Sequence, residues 1–411
     1  MIFIYRFLIN LILILSPLII LFRLIKKKES LIRFKEKFCF FSKKNHVDGI
    51  VWFHGASVGE ILSIMPIIEK FERDITIKKI LITSSTLSSS HIFSKYKLKK
   101  TIHQFYPFDL NFLTNFFISY WKPKLAIFVD SEIWPNMYCN LSERGVPLIL
   151  LNAKITRKSF NRWKYFPKFS EKIFKRINVA LPQNLESKRY LKLLGVKNIK
   201  HVGNLKFFGT SQKLHKNFKL RKKFLKKTIW CAASTHKSEE LFIGKVHKEL
   251  KTNIKNLLTI VIPRHINRKK IIANELENIG LNTEFHTLSR KLKRNTDIYI
   301  VDTYGDALKF YSLSKLTFVG GSLISHGGQN PLEPAREGNY IIFGPNVHNF
   351  EEVYRMLENL KIAKKINSIK NIKKIFLKKI DFTENKKVNK KLKILGNKII
   401  SKNILEIKKF I

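Results

Sequence analysis

The chain has 411 residues, with 78 Lys and Arg against 30 Asp and Glu, and a formal net charge of +48. This length predicts two or three domains with cores of their own, and a hydrophobic content of 45% excludes wholesale disorder. Three widely spaced cysteines exclude a disulfide scaffold and a cysteine-based zinc site. The charge suggests an anionic partner. Only 16 of the 78 basic residues are Arg, and the chain is rich in Ile, Asn and Phe, which are residues that an A+T-rich coding sequence favours. We therefore interpret much of the lysine excess as mutational drift on solvated faces with a modest preference for anionic surfaces, rather than dedicated nucleic-acid binding.

The first residues are almost entirely apolar. Residues 1–22 read MIFIYRFLINLILILSPLIILF, and Arg23 and a run of three lysines follow. The uninterrupted stretch from Phe7 is about 16 residues, short of the roughly 20 that cross a bilayer upright. Bulky residues followed by lysines are not typical of a cleaved signal peptide, and basic residues on this flank favour a cytoplasmic location for the rest of the chain. We predict a membrane anchor over 1–25 that spans the bilayer or lies in its interface, with a buried core helix as the alternative.

From Gly49 onward, short apolar runs alternate with amphipathic stretches, a pattern typical of parallel sheets with helices on both faces. The alternation lapses over the Lys-rich residues 207–227 and then resumes, which predicts two doubly wound α/β units joined by a linker, with a cleft between them. Residues 361–411 hold 17 Lys and three acidic residues, with Ile and Leu at helical spacing, and are predicted to be helical. The predicted strands are 49–55, 78–85, 124–131, 146–154, 228–234, 257–265, 297–305, 315–322 and 340–346.

Two motifs place carboxylates at strand ends in the first unit. HGASVGE ends at Glu60, in the first turn of a predicted helix, where small residues and free N–H groups admit a ligand. Glu60 could serve as a general base, or it could only complete the helix start. VDSEIWPN places Asp130 and Glu132 just past another strand, where ligands of open parallel sheets bind, although both could be helix caps.

A Gly-rich turn, VGGSLISHGGQNPLEPA, occupies residues 319–335 of the second unit. Gly320, Gly321 and Ser322 could present backbone amides to a phosphate, as could the Asn330-Pro331 helix start. The motif matches neither a Walker loop nor GxGxxG, and the histidines lack metal-binding spacing, so no bound metal is expected. Polar groups also follow three other strands, and four such ends on one sheet edge predict a nucleotide site. Those three segments are AASTHKSEE (232–240), IPRH (262–265) and DTYGD (302–306).

The motifs WFHGASVGE, SEIWPN, GNLKF, ASTHKSEE, IPRH, DTYG and GGSLISHGGQNPLEPA occur in one order. In this combination, residues 1 to about 360 closely resemble the 3-deoxy-D-manno-octulosonic acid (Kdo) transferases of lipopolysaccharide synthesis. The resemblance implies a GT-B fold, in which two Rossmann-like domains face a cleft behind an N-terminal anchor helix. The implied parts are an anchor at 1–25, an acceptor-binding domain at 26–206, a linker at 207–227, a CMP-Kdo-binding domain at 228–360 and Lys-rich helices at 361–411.

The resemblance also implies a reaction and a set of residues. Kdo would pass from CMP-Kdo to the phosphorylated lipid A precursor, lipid IVA, in one inverting displacement at the cytoplasmic face of the inner membrane, without metal or another cofactor. Glu60 falls on the family's general base, and Asp130 and Lys206 fall on positions that stabilise the transition state. The implied CMP-binding residues are Pro263, Arg264, Tyr304, Gly305, Asp306, Asn330, Pro331, Leu332 and Glu333. Further candidates at the same edges are Glu132, Thr235, Gly321 and Ser322.

The chain departs from the family pattern at a few positions. Asp130 stands where the family usually has Glu, which shortens the reach of that carboxylate. Phe208 replaces a usual acidic residue, Tyr304 replaces a usual Met, and Asp306 replaces a usual Glu. Two alternatives remain at this stage. One is another GT-B transferase acting on a different membrane lipid, and the other is a non-catalytic basic protein that binds nucleic acid or lipid. The implied partners are CMP-Kdo, the phosphorylated lipid precursor and the anionic membrane surface, with no nucleic acid.

Overall fold

The computed structural model describes residues 1–26, 29–43, 47–94, 96–205, 222, 224, 227–289, 292–379 and 384–411. The chain divides into two compact units. One comprises Met1–Thr210 together with Gly396–Ile411, and the other comprises Ser211–Leu395. Lys206 and most of the predicted linker 207–227 lie outside the described residues.

The first unit is built on a six-stranded parallel sheet with the order β3-β2-β1-β4-β5-β6. Nearly every strand residue is buried, because helices cover both faces. The strand order reverses between β1 and β4, so their carboxyl ends form the switch point where such sheets bind ligands. The strands are β1 Ile50–His54, β2 Ile80–Ser84, β3 Thr101–Phe105, β4 Pro123–Val129, β5 Leu148–Ala153 and β6 Val179–Pro182. The helices are α1 Ile2–Ile25, a 3-10 helix Arg33–Phe38, α2 Val58–Glu72, α3 Leu87–Phe93, α4 Asn111–Trp121, α5 Pro135–Glu143, α6 Arg157–Lys164, α7 Pro167–Phe174 and α8 Leu185–Leu193.

The second unit is built on a seven-stranded parallel sheet with the order β13-β12-β11-β7-β8-β10-β9. Its order reverses between β7 and β11, which gives this sheet a switch point of its own. The strands are β7 Thr228–Thr235, β8 Leu257–Pro263, β9 Thr283–Phe285, β10 Ile298–Ile300, β11 Leu316–Val319, β12 Tyr340–Phe343 and β13 Ala363–Lys365. The helices are α9 Glu239–Lys251, a 3-10 helix Ile266–Arg268, α10 Lys269–Glu277, α11 Ala307–Tyr311, α12 Leu332–Arg336, α13 Glu351–Asn359, α14 Ile369–Lys379 and α15 Glu384–Lys408.

Two doubly wound parallel sheets confirm the predicted α/β fold class, and all nine predicted strands are present, most of them shorter than predicted. The helical prediction for residues 361–411 is wrong at Ala363–Lys365, which pairs in parallel with β12 as β13. Backbone pairing at the sheet edge overrides the amphipathic pattern there. Four strands were not predicted, namely β3, β6, β9 and β13.

Helix α1 contains Pro17, and one of its sides packs on the rest of the first unit. Ile2, Ile9 and Leu13 contact its core, and the Tyr5 hydroxyl donates to an Asp109 carboxylate oxygen at 2.7 Å. Among the described residues no single helix qualifies as a membrane span, while the pair Ile2–Leu11 and Ser16–Ile25, bent by 53°, passes on length and composition. Among the α1 side chains that the structure describes, ten large apolar residues are exposed on the opposite side, which are Phe3, Ile4, Phe7, Leu8, Leu11, Ile14, Leu18, Leu21, Phe22 and Ile25.

Helix α15 begins in the second unit, and its last residues belong to the first. There Lys200 forms an ion pair with Glu406 at 2.8 Å, and Lys408 forms one with Asp74. The side chain of Ile399 lies against Gly203, where a Cβ would come within 3.1 Å of it. The first unit is therefore completed by residues from the far end of the chain.

Candidate functional site

Glu60 lies at the amino-terminal end of α2, immediately after the central strand β1. It forms a capping box with Ser57, and its carboxylate accepts the Ala56 N–H at 2.7 Å and the Ser57 hydroxyl at 2.8 Å. Burial raises the pKa of Glu60 above its ordinary value; the nearby carboxylates of Glu132 and Asp130 add to this, and the Ser57 bond opposes it. Glu60 therefore does complete the helix start, and it also has the raised pKa that suits a general base.

Glu132, just past β4, is held by two ring N–H groups rather than by a helix start. Its carboxylate lies 3.2 Å from His54 Nε2 and accepts the Trp134 indole N–H at 2.9 Å. Burial alone would raise the pKa of Glu132, but the bonds from His54 and Trp134 bring it below its ordinary value. Two neighbouring carboxyl groups are thus shifted in opposite directions, as in active sites where one carboxyl exchanges protons and the other stays ionised.

Asp130 directly follows β4 and is almost fully buried. Its backbone adopts φ +58°, a left-handed conformation that is uncommon outside glycine. Its carboxylate accepts the Asn152 side-chain N–H at 2.6 Å, and its carbonyl accepts the Lys154 N–H at 2.9 Å. The structure thus brings Glu60, Asp130 and Glu132 to one switch point, as predicted from their strand-end positions, while Lys206 lies outside the described residues.

The equivalent edge of the second sheet joins the ends of β11, β7, β8 and β10. The Arg264 N–H donates to the Thr235 carbonyl at 3.0 Å, which places the ends of β8 and β7 side by side. The Gln329 N–H donates to the Gly320 carbonyl at 3.2 Å and draws the Asn330–Glu333 segment to the same edge. Within that segment the Asn330 carboxamide oxygen accepts the Leu332 N–H at 3.1 Å, and Glu333 lies in the first turn of α12.

The predicted phosphate-binding role of the Gly320–Ser322 amides is wrong. The Gly320 N–H donates to the Ala233 carbonyl, and the next two N–H groups, of Gly321 and Ser322, donate to Glu239 at 2.7 and 3.1 Å. The Glu239 carboxylate also accepts the N–H groups of His236 and Leu323. A buried carboxylate thus occupies the place that the sequence suggested for a phosphate.

His236 lies one residue beyond β7, and one of its ring nitrogens takes no part in the hydrogen bonds around Glu239. Its Nδ1 contacts the Ser234 carbonyl at 3.0 Å, whereas its buried Nε2 has no hydrogen-bond partner among the described residues. The ring lies 4.3 Å from that of His326, in the glycine-rich turn, and 6.0 Å from that of His265. Burial lowers the pKa of His236, with His326 and His265 adding to the effect, so the neutral imidazole is favoured.

The Tyr304–Asp306 segment follows β10. Tyr304 is 72% exposed, and Gly305 adopts φ +86°, which suits glycine. Asp306 contacts Lys309 and Thr303 on its own segment and lies 3.8 Å from His286, so its carboxylate is held locally. In the described part of the chain, no group of three His, Cys, Asp or Glu residues could hold a metal ion.

Four residues of these edges were absent from the predicted set, although the sequence carries partial signals for three of them. His54 and His236 lie inside motifs that were singled out, and Glu239 repeats the position of Glu60 at a helix start. Asn152 lies inside the predicted strand 146–154, and nothing in its local sequence distinguishes it.

The fold of the chain is similar to that of GT-B-like enzymes. A UDP-GlcNAc 2-epimerase from Neisseria meningitidis superimposes with a TM-score of 0.56 at 13% identity, covering 88% of this chain and 99% of that one. At this identity the likeness concerns the fold alone, which is the pair of parallel-sheet α/β domains of GT-B-like enzymes.

The relatives narrow this class. The family model described as 3-deoxy-D-manno-octulosonic-acid transferase (kdotransferase) matches residues 32–208. The 3-deoxy-D-manno-octulosonic acid transferase of Rickettsia bellii is 33% identical over 89% of this chain and 87% of its own length. That of Haemophilus influenzae is 31% identical over 77% and 76%. The chain belongs to the 3-deoxy-D-manno-octulosonic acid transferase family, and it is a glycosyltransferase that transfers Kdo.

Proposed function

We propose that this enzyme transfers Kdo from CMP-Kdo to a sugar hydroxyl of a phosphorylated lipid A precursor, lipid IVA, in one inverting displacement. The observation that carries the proposal is the carboxylate cluster at the first switch point, with the pKa of Glu60 raised and that of Glu132 lowered. A base needs a pKa close enough to the working pH to accept a proton and release it again. Burial together with two carboxylate neighbours raises the pKa of Glu60 in that direction.

In the proposed step the acceptor oxygen attacks the anomeric carbon of Kdo while Glu60 takes the hydroxyl proton. The bond from that carbon to the CMP phosphate oxygen breaks, and CMP leaves as an anion. Asp130 and Lys206 stabilise the transition state, and no metal takes part. The pKa of Glu132 is held low by His54, so this carboxylate remains ionised through the cycle.

CMP-Kdo would bind at the edge of the second sheet. The donor-binding residues lie there at the ends of neighbouring strands, together with the His236 imidazole. Since Glu239 occupies the first amides of the glycine-rich turn, the phosphate would be held by other groups, such as the Arg264 guanidinium. Because Nδ1 of the neutral His236 ring donates to the Ser234 carbonyl, Nε2 would accept a hydrogen bond from a hydroxyl or amino group of CMP-Kdo. The proposed donor-binding residues are Pro263, Arg264, Tyr304, Gly305, Asp306, Asn330, Pro331, Leu332 and Glu333.

We further propose that α1 docks the enzyme on the cytoplasmic face of the inner membrane, lying in the interface. One side of α1 packs on the protein through Ile2, Tyr5 and Ile9, and the other exposes large apolar residues such as Phe3 and Phe7, an arrangement that suits the plane of a bilayer surface. Arg23 and Lys26 at its carboxyl end would meet anionic headgroups. This location brings a water-soluble donor and a lipid acceptor to the same enzyme.

The transfer is tested with the full chain, CMP-Kdo and a tetra-acylated, phosphorylated lipid A precursor, followed by mass spectrometry of the lipid. We expect a mass gain of one or more Kdo units together with release of CMP. A folded protein that gives no Kdo-lipid product would contradict the proposal. Product from a different sugar nucleotide would favour another GT-B activity, and tight, salt-dependent DNA binding without turnover would favour a non-catalytic role.

Docking is tested separately by flotation with vesicles that contain phosphatidylglycerol, compared with purely zwitterionic vesicles. The double variant Phe3→Ser/Phe7→Ser removes two exposed rings and should reduce flotation with either vesicle. Leu193→Ser, at an exposed apolar position on α8, serves as the matched control. Equal flotation of all three proteins would contradict docking through α1.

A further inference from the structure

Asn152, the fifth residue of β5, has an unusual backbone next to a second unusual backbone. It adopts φ +53° and is buried, and Asp130, at the end of the adjacent strand β4, adopts φ +58° and is buried as well. Asn and Asp tolerate the left-handed region better than other residues with side chains, but it remains unfavourable for them. Such conformations persist where the surroundings impose them, and they cluster at functional sites.

Both ends of the Asn152 side-chain amide are engaged. Its Nδ2 donates to Asp130 Oδ1 at 2.6 Å, and its Oδ1 accepts the Leu205 N–H at 2.9 Å. Because the Leu205 N–H can only donate, the amide oxygen must face it, and this fixes the nitrogen toward Asp130. One amide therefore connects the carboxylate of Asp130 with the Leu205 backbone.

From this geometry we infer that Asn152 is a positioning residue for Kdo transfer: its amide holds the Asp130 carboxylate in a single orientation and is itself held by the Leu205 backbone. The inference rests on the proposed function, in which Asp130 and Lys206 stabilise the transition state. A stabilising charge lowers the barrier only when it is already oriented toward the developing charge. Asp130 has a short side chain on a constrained backbone, and a donor fixed at 2.6 Å selects one orientation of its carboxylate.

The decisive variant is Asn152→Asp, which keeps the size of the side chain, its tolerance of positive φ and the acceptor for the Leu205 N–H. It replaces the donor to Asp130 with a second carboxyl group. Two carboxyl groups in hydrogen-bond contact share a proton at low pH and repel each other when both ionise. The shared proton reproduces the lost N–H bond, so the Asn152→Asp enzyme should be functional only while that proton is present.

The readout is the ratio of kcat of Asn152→Asp to kcat of the wild-type enzyme as a function of pH. We expect this ratio to fall at least about tenfold between about pH 5.5 and pH 8.5, with the KM for CMP-Kdo within about threefold of the wild-type value. The other charged or ionisable groups near Asp130 are the same in both enzymes, so their effect largely cancels in the ratio. They are Glu60 at the start of α2, Glu132 with its partner His54, and Lys154 beyond β5.

Asn140→Asp is the matched control. Asn140 is also fully buried, on α5, and its Nδ2 donates to the Thr114 hydroxyl and the Asn111 carbonyl rather than to a carboxylate. This variant should lose stability while its kcat ratio stays flat with pH. If Asn152→Asp does not fold, as judged by circular dichroism and Tm, Asn152→Gly takes its place, since Gly adopts φ +53° freely. That variant should then lose kcat at least about tenfold while the KM for CMP-Kdo changes little.

Failure of the inference and failure of the proposed function give different results. A wild-type enzyme that makes no Kdo-lipid product overturns the proposed function, and the inference with it. Full activity of Asp130→Ala overturns the role of Asp130 and therefore that of Asn152. The third case is an active wild-type enzyme and an impaired Asp130→Ala enzyme. If the kcat ratio of Asn152→Asp is then flat with pH, or the kcat of Asn152→Gly is unchanged, the inference alone is overturned.

Discussion

Glu60 and Glu239 each lie at the start of a helix that follows a central strand of their unit, yet the groups around their carboxylates differ sharply. Each lies in the first turn of the helix that follows the strand at the switch point, α2 after β1 and α9 after β7. Glu60 is half-buried and accepts from the amides of its own turn and from Ser57. Glu239 is fully buried and accepts four backbone N–H groups, three of which come from the glycine-rich turn after β11. The same position in a first helical turn thus leaves Glu60 with few fixed donors and surrounds Glu239 with four, so Glu60 rather than Glu239 suits the proposed role of general base.

The largest effect in this comparison should come from Glu60→Gln. Glutamine keeps the capping geometry but cannot accept the hydroxyl proton, so we expect kcat to fall by about 10²- to 10⁴-fold with Tm nearly unchanged. The measurements are kcat in the Kdo-transfer assay and a thermal melt. Glu69→Gln, at an exposed position on the same helix, should leave both unchanged. Substantial activity in Glu60→Gln would remove Glu60 from the mechanism.

Glu239→Gln should show the reverse behaviour. Replacing one carboxylate oxygen with an NH₂ leaves two buried N–H groups without an acceptor, which should lower the free energy of unfolding by about 3 kcal/mol. Urea denaturation measures this, with Glu249→Gln on the exposed side of α9 as the control, expected to change stability by less than about 1 kcal/mol. If Glu239→Gln instead keeps wild-type stability and loses kcat, then Glu239 does not have the structural role that distinguishes it from Glu60.

The His236→Ala substitution addresses donor binding at the second edge. If Nε2 accepts a hydrogen bond from CMP-Kdo, its loss should raise the KM for CMP-Kdo by about tenfold while kcat changes less than about threefold. His201→Ala, at an exposed position of the first unit, provides the control in the same kinetic assay. An unchanged KM would leave the buried Nε2 without a role in binding.

The smallest expected effect concerns the pH profile of Glu60. The charge of Glu132 contributes to the raised pKa of Glu60, so Glu132→Gln should lower that pKa. Because Glu60 must be deprotonated to act as the base, the acid limb of kcat/KM should move to lower pH, by less than about one unit. Glu143→Gln, exposed on α5, should leave the profile in place. A shift of the limb to higher pH would contradict the electrostatic account.

The sequence predicts the fold well wherever apolar runs are continuous. It misses β3 because His103 and Gln104 interrupt the apolar pattern; both are buried in the structure, where His103 contacts the Ser84 hydroxyl at 2.8 Å. It misses β13 because three residues, Ala363–Lys365, carry too little pattern to indicate a strand.

In the candidate site, too, features set by local sequence could be predicted and those set by contacts between distant residues could not. Glu60, Asp130 and Glu132 could be found from the sequence because strand ends of a parallel sheet converge, which is a local rule applied three times. The bond from Gly321 to Glu239 joins residues 82 positions apart, and no local rule indicates it. The phosphate-binding prediction for that turn was wrong because a distant side chain had already taken its amides.

The last residues of α15 complete the first unit, and this has a consequence for how the chain is made. On the ribosome, residues 1–210 emerge well before Gly396–Ile411, with the whole second unit in between. At about 5–20 residues per second, the first unit waits roughly 10–40 s for the Glu406 and Lys408 ion pairs. The nascent first unit is therefore incomplete while its apolar amino-terminal helix has already been synthesised, so the proposed membrane docking can precede completion of the fold.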